Sequence, residues 1–162
     1  MPRVYVSIGS NVERETHIRA AVRAIRERYA NPAFSAVYQS KAEGFDGDDF
    51  YNLVAAFDTD QTIEALRGAL TAIEMSNGRL RDGPRYGPRT LDIDILLYGN
   101  LVRHRGKFDV PRSEIRDRAY VLGPLAELAP QERHPETGER FVDLWRNFAN
   151  RAELREVQLK LD

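Results

Sequence analysis

Leu91-Asp-Ile-Asp-Ile-Leu-Leu-Tyr98 is the stretch on which the fold turns. It is short, rich in leucine and isoleucine, and broken only by two aspartates, so it reads as a largely buried strand. Strand alternation puts Asp92 and Asp94 on one face and Leu91, Ile93, Ile95 and Leu97 on the other, which reads as core. Working back, Arg3 to Gly9 alternates, with Val4, Val6 and Ile8 on one side, and reads as a first strand. Gly9-Ser10-Asn11 makes a turn. Ile18, Val22, Ile25 and Tyr29 then recur at helical spacing, with Arg19, Arg23 and Arg26 on the solvated side and Asn31-Pro32 ending the helix. Phe34, Ala36 and Tyr38 suggest a second strand, and Phe50 to Phe57 a third. Asp60 or Thr62 can cap a second helix with the stripe Ile63, Leu66, Leu70 and Ile73, stopped at Asn77-Gly78. With the Asp92/Asp94 strand as the fourth, the order is β-α-β-β-α-β. The predicted fold is α+β, a ferredoxin-like sandwich with an antiparallel sheet, both helices on one face and the other face free for a site.

The core occupies residues 3–100, and residues 101–162 are a C-terminal extension of the same single domain, 1–162. The extension holds a short apolar segment around Phe108 to Val110 and a proline-started helix near Gly123-Pro124 that stops at Pro130. A Glu-Thr-Gly turn at 136–138 precedes a last helical stretch with Leu144, Trp145 and Phe148. Residues 151–162 read as loosely packed. Ser40 to Asp49 and the arginine-rich connection 79–89 read as loops flanking the site.

At 162 residues, 42% hydrophobic and 30% charged, the chain is long enough for one well-formed core. A net charge of −1 leaves no overall field toward nucleic acid or membrane, so any basic site is local. The absence of cysteine excludes disulfides, thiolate zinc sites and a cysteine nucleophile. No apolar run approaches a membrane span, and the N-terminus lacks the apolar stretch of a signal peptide. A cytoplasmic protein, with no membrane or nucleic-acid partner, is expected.

Arg85-Tyr-Gly-Pro-Arg89 sets two arginines just ahead of Asp92 and Asp94. Neighbouring carboxylates repel and lose hydration, and a cation between them relieves both. A short pair of hard oxygen donors suits Mg2+, which takes one or two carboxylates plus substrate phosphates. Arginine suits the phosphate oxygens. The pattern therefore points to a magnesium-nucleotide site for phosphoryl-type transfer, set against a surface strand with two solvated aspartates. No P-loop, G-x-G-x-x-G or G-x-S-x-G is present. His17, His104 and His134 lack ligand spacing and read as surface or structural residues.

Taken together, Gly87-Pro-Arg-Thr-Leu-Asp-Ile-Asp-Ile-Leu96, Ser7-Ile-Gly-Ser-Asn11, Phe50-Tyr-Asn52, Ile73-Glu-Met75 ahead of Gly78-Arg79, and Leu97-Tyr-Gly-Asn100 resemble the 6-hydroxymethyl-7,8-dihydropterin pyrophosphokinase family of folate biosynthesis. The resemblance runs from about Val4 to about Gly138. It implies transfer of the terminal diphosphate of ATP, as co-substrate, to the hydroxymethyl oxygen of the pterin, with AMP leaving. It implies two Mg2+ ions at Asp92 and Asp94, and catalytic arginines at Arg85 and Arg89. On the nucleotide side it implies Glu74, Arg79, Arg81, Ile95 and Arg118. For the pterin it implies stacking by Phe50 and Tyr120, an amide from Asn52, and the loop after the second strand.

The chain departs from the family at several of these places. Ser40-Lys41-Ala42, followed by Glu43, stands where Thr-Pro-Pro is common, and Tyr86 where a tryptophan is common. Lys107 and Asp109 replace commoner Arg and Thr or Ser, and Pro111-Arg112 replaces Pro-His. These alter the pterin loop and the phosphate and ribose surround, not the metal carboxylates. A monomer is expected. The competing possibilities are a non-catalytic pterin- or nucleotide-binding paralogue, and an RNA-binding module supported only by the basic loop at 79–89.

Overall fold

The protein is described here by a computed structural model covering residues 1–41, 49–78, 91–149 and 154–161. Strand β1 (Arg3–Ser10) leads into helix α1 (Arg14–Arg28), which buries Ile18, Ala21, Val22 and Ile25. The second strand is observed as two pieces, β2 (Ala30–Phe34) and β3 (Val37–Ser40), followed by β4 (Phe50–Asp58). Ser35 causes the break. Its Oγ accepts the Val54 N–H at 2.9 Å, so a side chain stands in for a backbone rung. Helix α2 (Ile63–Ser76) starts on Thr62, whose Oγ1 accepts the Ala65 N–H at 3.1 Å, a cap worth about 1 kcal/mol. It ends at Asn77 and Gly78, the latter at φ 82°, where glycine is at no steric disadvantage. Strand β5 (Asp92–Tyr98) follows.

The extension contributes a hairpin of β6 (Arg103–Arg105) and β7 (Phe108–Val110), then α3 (Glu114–Asp117), α4 (Ala119–Leu128), α5 (Phe141–Arg146) and a short strand β8 (Arg155–Val157). The main sheet runs β5-β1-β4-β3-β8, with β2 beside β3 on the same flank of β4, and every pairing is antiparallel. Helices α1 and α2 cover one face, over Val6, Ile8, Leu53, Phe57 and Ile93. Tyr29 seals that core by stacking on Phe57 at 4.3 Å.

The opposite face is not wholly free, as the sequence led us to expect. Tyr5, Val54, Ala56 and Leu97 pack there against Val121, Leu122, Leu125 and Phe141 of α4 and α5. The extension thus roofs one end of that face and leaves the other end to the site. Leu97 was expected on the α1/α2 side with Ile95. The β1–β5 register slips between Tyr5 and Val6, so Leu96 is an extra residue and alternation reverses beyond it.

Two further expectations in the extension need correcting. Helix α4 begins four residues before Gly123, and Pro124 lies inside it. Proline favours the first helical turn because its missing N–H costs nothing there. Here one helical hydrogen bond is forfeited, and burial of Val121, Leu122, Leu125 and Ala126 offsets it. The described part of the tail, 154–161, is packed rather than loose. Leu154 sits on Gly123, β8 extends β3, and Leu159 and Leu161 reach the α1/α2 core. The Lys160 and Leu161 carbonyls accept Arg19 Nε and Arg26 Nη1 at 2.9 and 3.4 Å.

A β-carbon added at Gly123 would lie 2.5 Å from Leu154 Cδ2 and 3.1 Å from the Trp145 ring. Gly123→Ala is therefore expected to destabilise the fold by about 1–2 kcal/mol. Adding Leu154→Ala should cost less in that background than in the wild type. Thermal melts of the four proteins test this, and a Gly123→Ala variant melting at or above wild type would refute the contact.

Candidate active site

Antiparallel register builds the site as rows of side chains that share a face. Asp92 pairs with Gly9, Gly9 with Asn52, and Asn52 with Tyr38, forming one row across β5, β1, β4 and β3. Asp94, Ser7 and Val54 form the next. Strands lie about 4.8 Å apart, so Asp92 and Asn52 are about 10 Å apart with only a glycine between them. That gap is needed: a β-carbon at Gly9 would stand 3.1 Å from Asn52 Oδ1 and 3.7 Å from the Phe50 ring. Phe50, two residues before Asn52, shares its face. Asn52 is 6% exposed, and its Nδ2 donates to Ser40 Oγ at 2.7 Å. Lys41 follows, exposed. A bare floor a bicyclic ring could cover thus has carboxylates at one end, and an amide and an aromatic ring at the other. Tyr120, in the first turn of α4, is half-buried against the core of this face.

Among the contacts of the described residues, the arginines nearest Asp94 stand at ion-pair rather than hydrogen-bond distance. Arg112 Nη2 lies 3.7 Å from Asp94 Oδ2, and Arg67 Nη1 4.0 Å from Oδ1, both too far for hydrogen bonds. Burial, then the neighbouring Asp92 carboxylate, push Asp94 up to about 7 against the pull of those arginines. Arg112 is partly engaged elsewhere, since its Nε donates to Glu114 Oε2 at 2.5 Å. Among the described residues no set of three His, Asp or Glu is arranged to hold a metal. The protein offers a carboxylate pair, and such a donor set suits a hard divalent cation that completes its shell with phosphate and water.

Strand β5 ends the sheet, so its outward backbone groups need partners. The Ile93 N–H donates to Glu74 Oε2 at 2.7 Å, and Arg67 Nη1 approaches the Ile93 carbonyl at 3.5 Å. Both side chains come from α2, seven residues apart and so on one side of that helix. They hold the residue between the two aspartates. Glu74, expected in the nucleotide pocket, is 4% exposed and spends one oxygen on this strand.

The remaining residues expected toward the nucleotide are spread beyond that edge. Ile95 is 5% exposed and belongs to the α1/α2 core. Lys107 is exposed in the tight turn of the β6–β7 hairpin. Asp109 accepts His104 Nδ1 at 2.6 Å and the Ser113 N–H at 3.1 Å, and His104 Nε2 meets Glu136 Oε1 at 2.9 Å. The Glu136 and Asp109 carboxylates hold His104 above the usual histidine range. Arg118 stands exposed at the N-terminal end of α4. Glu43, Arg79, Arg81, Arg85 and Arg89 lie outside the described residues, as do most of the two expected site loops.

Sequence reasoning gave no site role to Arg67, Gly9, Tyr38 or Glu127. Glu127 of α4 takes the Ala36 N–H at 2.8 Å through Oε2 and the Tyr38 hydroxyl through Oε1. Burial and Glu127 raise Tyr38 above the ordinary tyrosine range.

Comparison with known proteins gives this arrangement its family. A model of the 7,8-dihydro-6-hydroxymethylpterin-pyrophosphokinase family matches residues 5–130. The chain belongs to this pyrophosphokinase family. It is 45% identical over 139 residues to a Pseudomonas aeruginosa protein named 2-amino-4-hydroxy-6-hydroxymethyldihydropteridine pyrophosphokinase, covering 83% of this chain and 85% of that one. It is 33% identical over 154 residues to the Haemophilus influenzae protein of the same name, covering 93% and 95%. The fold is also that of the Plasmodium falciparum HPPK-DHPS crystal structure, with a TM-score of 0.73 at 11% identity over 94% of this chain. The chain spans about half (45%) of that longer protein. Within the pyrophosphokinase family frame, the Asp92/Asp94 strand and the Asn52 row occupy one continuous sheet face.

Proposed function

We propose that the protein transfers the terminal diphosphate of ATP to the hydroxymethyl oxygen of 6-hydroxymethyl-7,8-dihydropterin and releases AMP, a step of folate biosynthesis. Family membership supports this reading, and one observation carries it to the site. The Asp92–Gly9–Asn52 row sets a carboxylate, with Asp94 beside it in the next row, about 10 Å from a buried amide with only a glycine between them. We also take the sandwich to be of ferredoxin-like type, a reading that the strand order β5-β1-β4-β3 supports.

In this proposal Asn52 and the Ser40–Lys41 strand end, with Glu43 beyond, read the polar edge of the pterin, and Phe50 and Tyr120 cover its faces. The hydroxymethyl arm then points along the floor toward Asp92 and Asp94. Asp92 and Asp94 would hold two Mg2+ ions, which would supply positive charge against that developing on the transferred and leaving phosphates. Arg85 and Arg89, with Arg79 and Arg81, supply donors to the phosphate oxygens. Arg112, 3.7 Å from Asp94, would add a further guanidinium toward phosphate at this end of the floor. The nucleotide lies along the β5 edge toward Glu74, Ile95, Lys107, Asp109 and Arg118. Catalysis on this plan is positioning and charge stabilisation, with no covalent step on the protein.

No helix among the described residues is long and apolar enough to cross a membrane. The protein is proposed to act as a cytoplasmic monomer on these two small molecules, without nucleic acid. Intact Asp92, Asp94 and Asn52 favour an enzyme over a binding-only paralogue. Mass detection of AMP and the diphosphorylated pterin, with and without Mg2+, is the test. ATP and pterin left unchanged in the presence of Mg2+ would overturn the assignment.

A further inference from the structure

Helix α4 is tied to the sheet by a polar lock whose place suggests more than stability. At the β2–β3 break the Ala36 N–H turns away from β4, because Ser35 makes the exchange with Val54 in its place. Glu127 accepts that N–H at 2.8 Å and, through its other oxygen, the Tyr38 hydroxyl. Tyr38 is the direct cross-strand partner of Asn52, whose amide donates to Ser40 two residues beyond Tyr38. The lock therefore grips the β3 segment that supports Asn52. Its other end bears on Tyr120. Glu127 and Tyr120 are seven residues apart in α4, nearly two whole turns, so they share one side of the helix about 10.5 Å apart. Pinning Glu127 on β3 fixes the roll and slide of α4, and with them the height of the Tyr120 ring above the sheet.

We propose that Glu127 and Tyr38 are positioning residues for the pterin subsite, setting the gap between the Tyr120 ring and the Phe50–Asn52 floor. The inference rests on the functional reading above. Neither residue need touch substrate. A flat ring held between two aromatic faces tolerates little change in that gap, because dispersion falls off within an ångström of optimal contact. The carboxylate side, built on β5 and braced from α2, does not share this lock, and of the residues proposed toward the nucleotide only Arg118 adjoins α4.

The test compares Tyr38→Phe, Glu127→Gln and Glu127→Ala. Tyr38→Phe removes one bond, glutamine keeps a carbonyl for one donor, and alanine removes both. The expected result is a graded rise in the KM for hydroxymethyldihydropterin, about fivefold for the first two and about twentyfold or more for Glu127→Ala. The KM for ATP should stay within about twofold. A merely structural lock would shift both KM values together and lower the melting temperature in step. That outcome, or unchanged pterin KM in Glu127→Ala, overturns the proposal. Wild-type turnover run alongside separates the claims. No product there sinks the functional reading and this inference with it, whereas normal wild-type turnover with unmoved variants sinks the lock alone.

Discussion

Replacing Asp94 with asparagine is expected to lower kcat by about 10²–10³-fold or more, through loss of a charge proposed to hold metal, while making the ligand-free protein more stable above neutral pH. Both effects have one cause. Burial and Asp92 push Asp94 up to about 7, whereas the unfolded carboxyl titrates near 3.9. Between those values the folded state binds more protons than the unfolded, so stability falls as pH rises across that window. The penalty is fully developed above about 7 and absent below about 4. An amide removes it, a gain on the order of 2 kcal/mol once residual solvent and the two arginines are allowed for. Melts at pH 5 and pH 8 should show the variant's advantage growing with pH, by several degrees. Asp92→Asn should abolish turnover similarly and bring Asp94 back toward its ordinary range. Wild-type activity in either variant at ordinary Mg2+, or a stability gain that shrinks as pH rises, would contradict the account.

Asn52→Ala should weaken binding of hydroxymethyldihydropterin by about 1–3 kcal/mol, roughly ten- to a hundredfold, because a polar ring edge loses its partner. Binding of a non-hydrolysable ATP analogue should stay within about twofold. Phe50→Ala should act in the same direction, losing a stacking face worth on the order of 1 kcal/mol beyond buried area. Gly9→Ala gives a subtler version, since its β-carbon would press on Asn52 Oδ1 at 3.1 Å and obstruct the floor. Titrating each variant separately with pterin and analogue decides the matter. Equal losses for both ligands would mean that the row does not divide the site in this way.

Local signals of adequate length carried most of the core into view. The strands through Val6, Leu53 and Ile93, and the helices through Ile18 and Leu66, stand where periodicity put them. Asp92 and Asp94 share a face because alternation leaves them no choice. What escaped was set by contacts distant in sequence. Nothing in Ile95-Leu-Leu97 announces that Leu96 is a bulge, because all three residues are equally apolar. Pro124 mimics a helix start, and only the burial of Val121 and Leu122 shows that the helix is already under way. Three residues of β8 are too few to show a period. Arg67 reads as a solvated helix residue until Ile93 and Asp94 are seen beside it, and Glu127 looks like a surface acid until β3 is in place. The expected arginines at 79–89 remain a statement about sequence.

The Glu74–Ile93–Arg67 contact also bears on what the end strand of the sheet can pair with. An end strand normally offers its outward amides and carbonyls to any extended segment, its own or another molecule's. At the centre of β5 both groups of Ile93 already face side chains from α2, so an incoming strand would find no pairing partner there and would meet a carboxylate and a guanidinium. The residues that steady the two aspartates therefore double as a barrier to edge-to-edge aggregation. Substitutions at position 74 or 67 should be judged by their effect on solubility during refolding as well as by turnover.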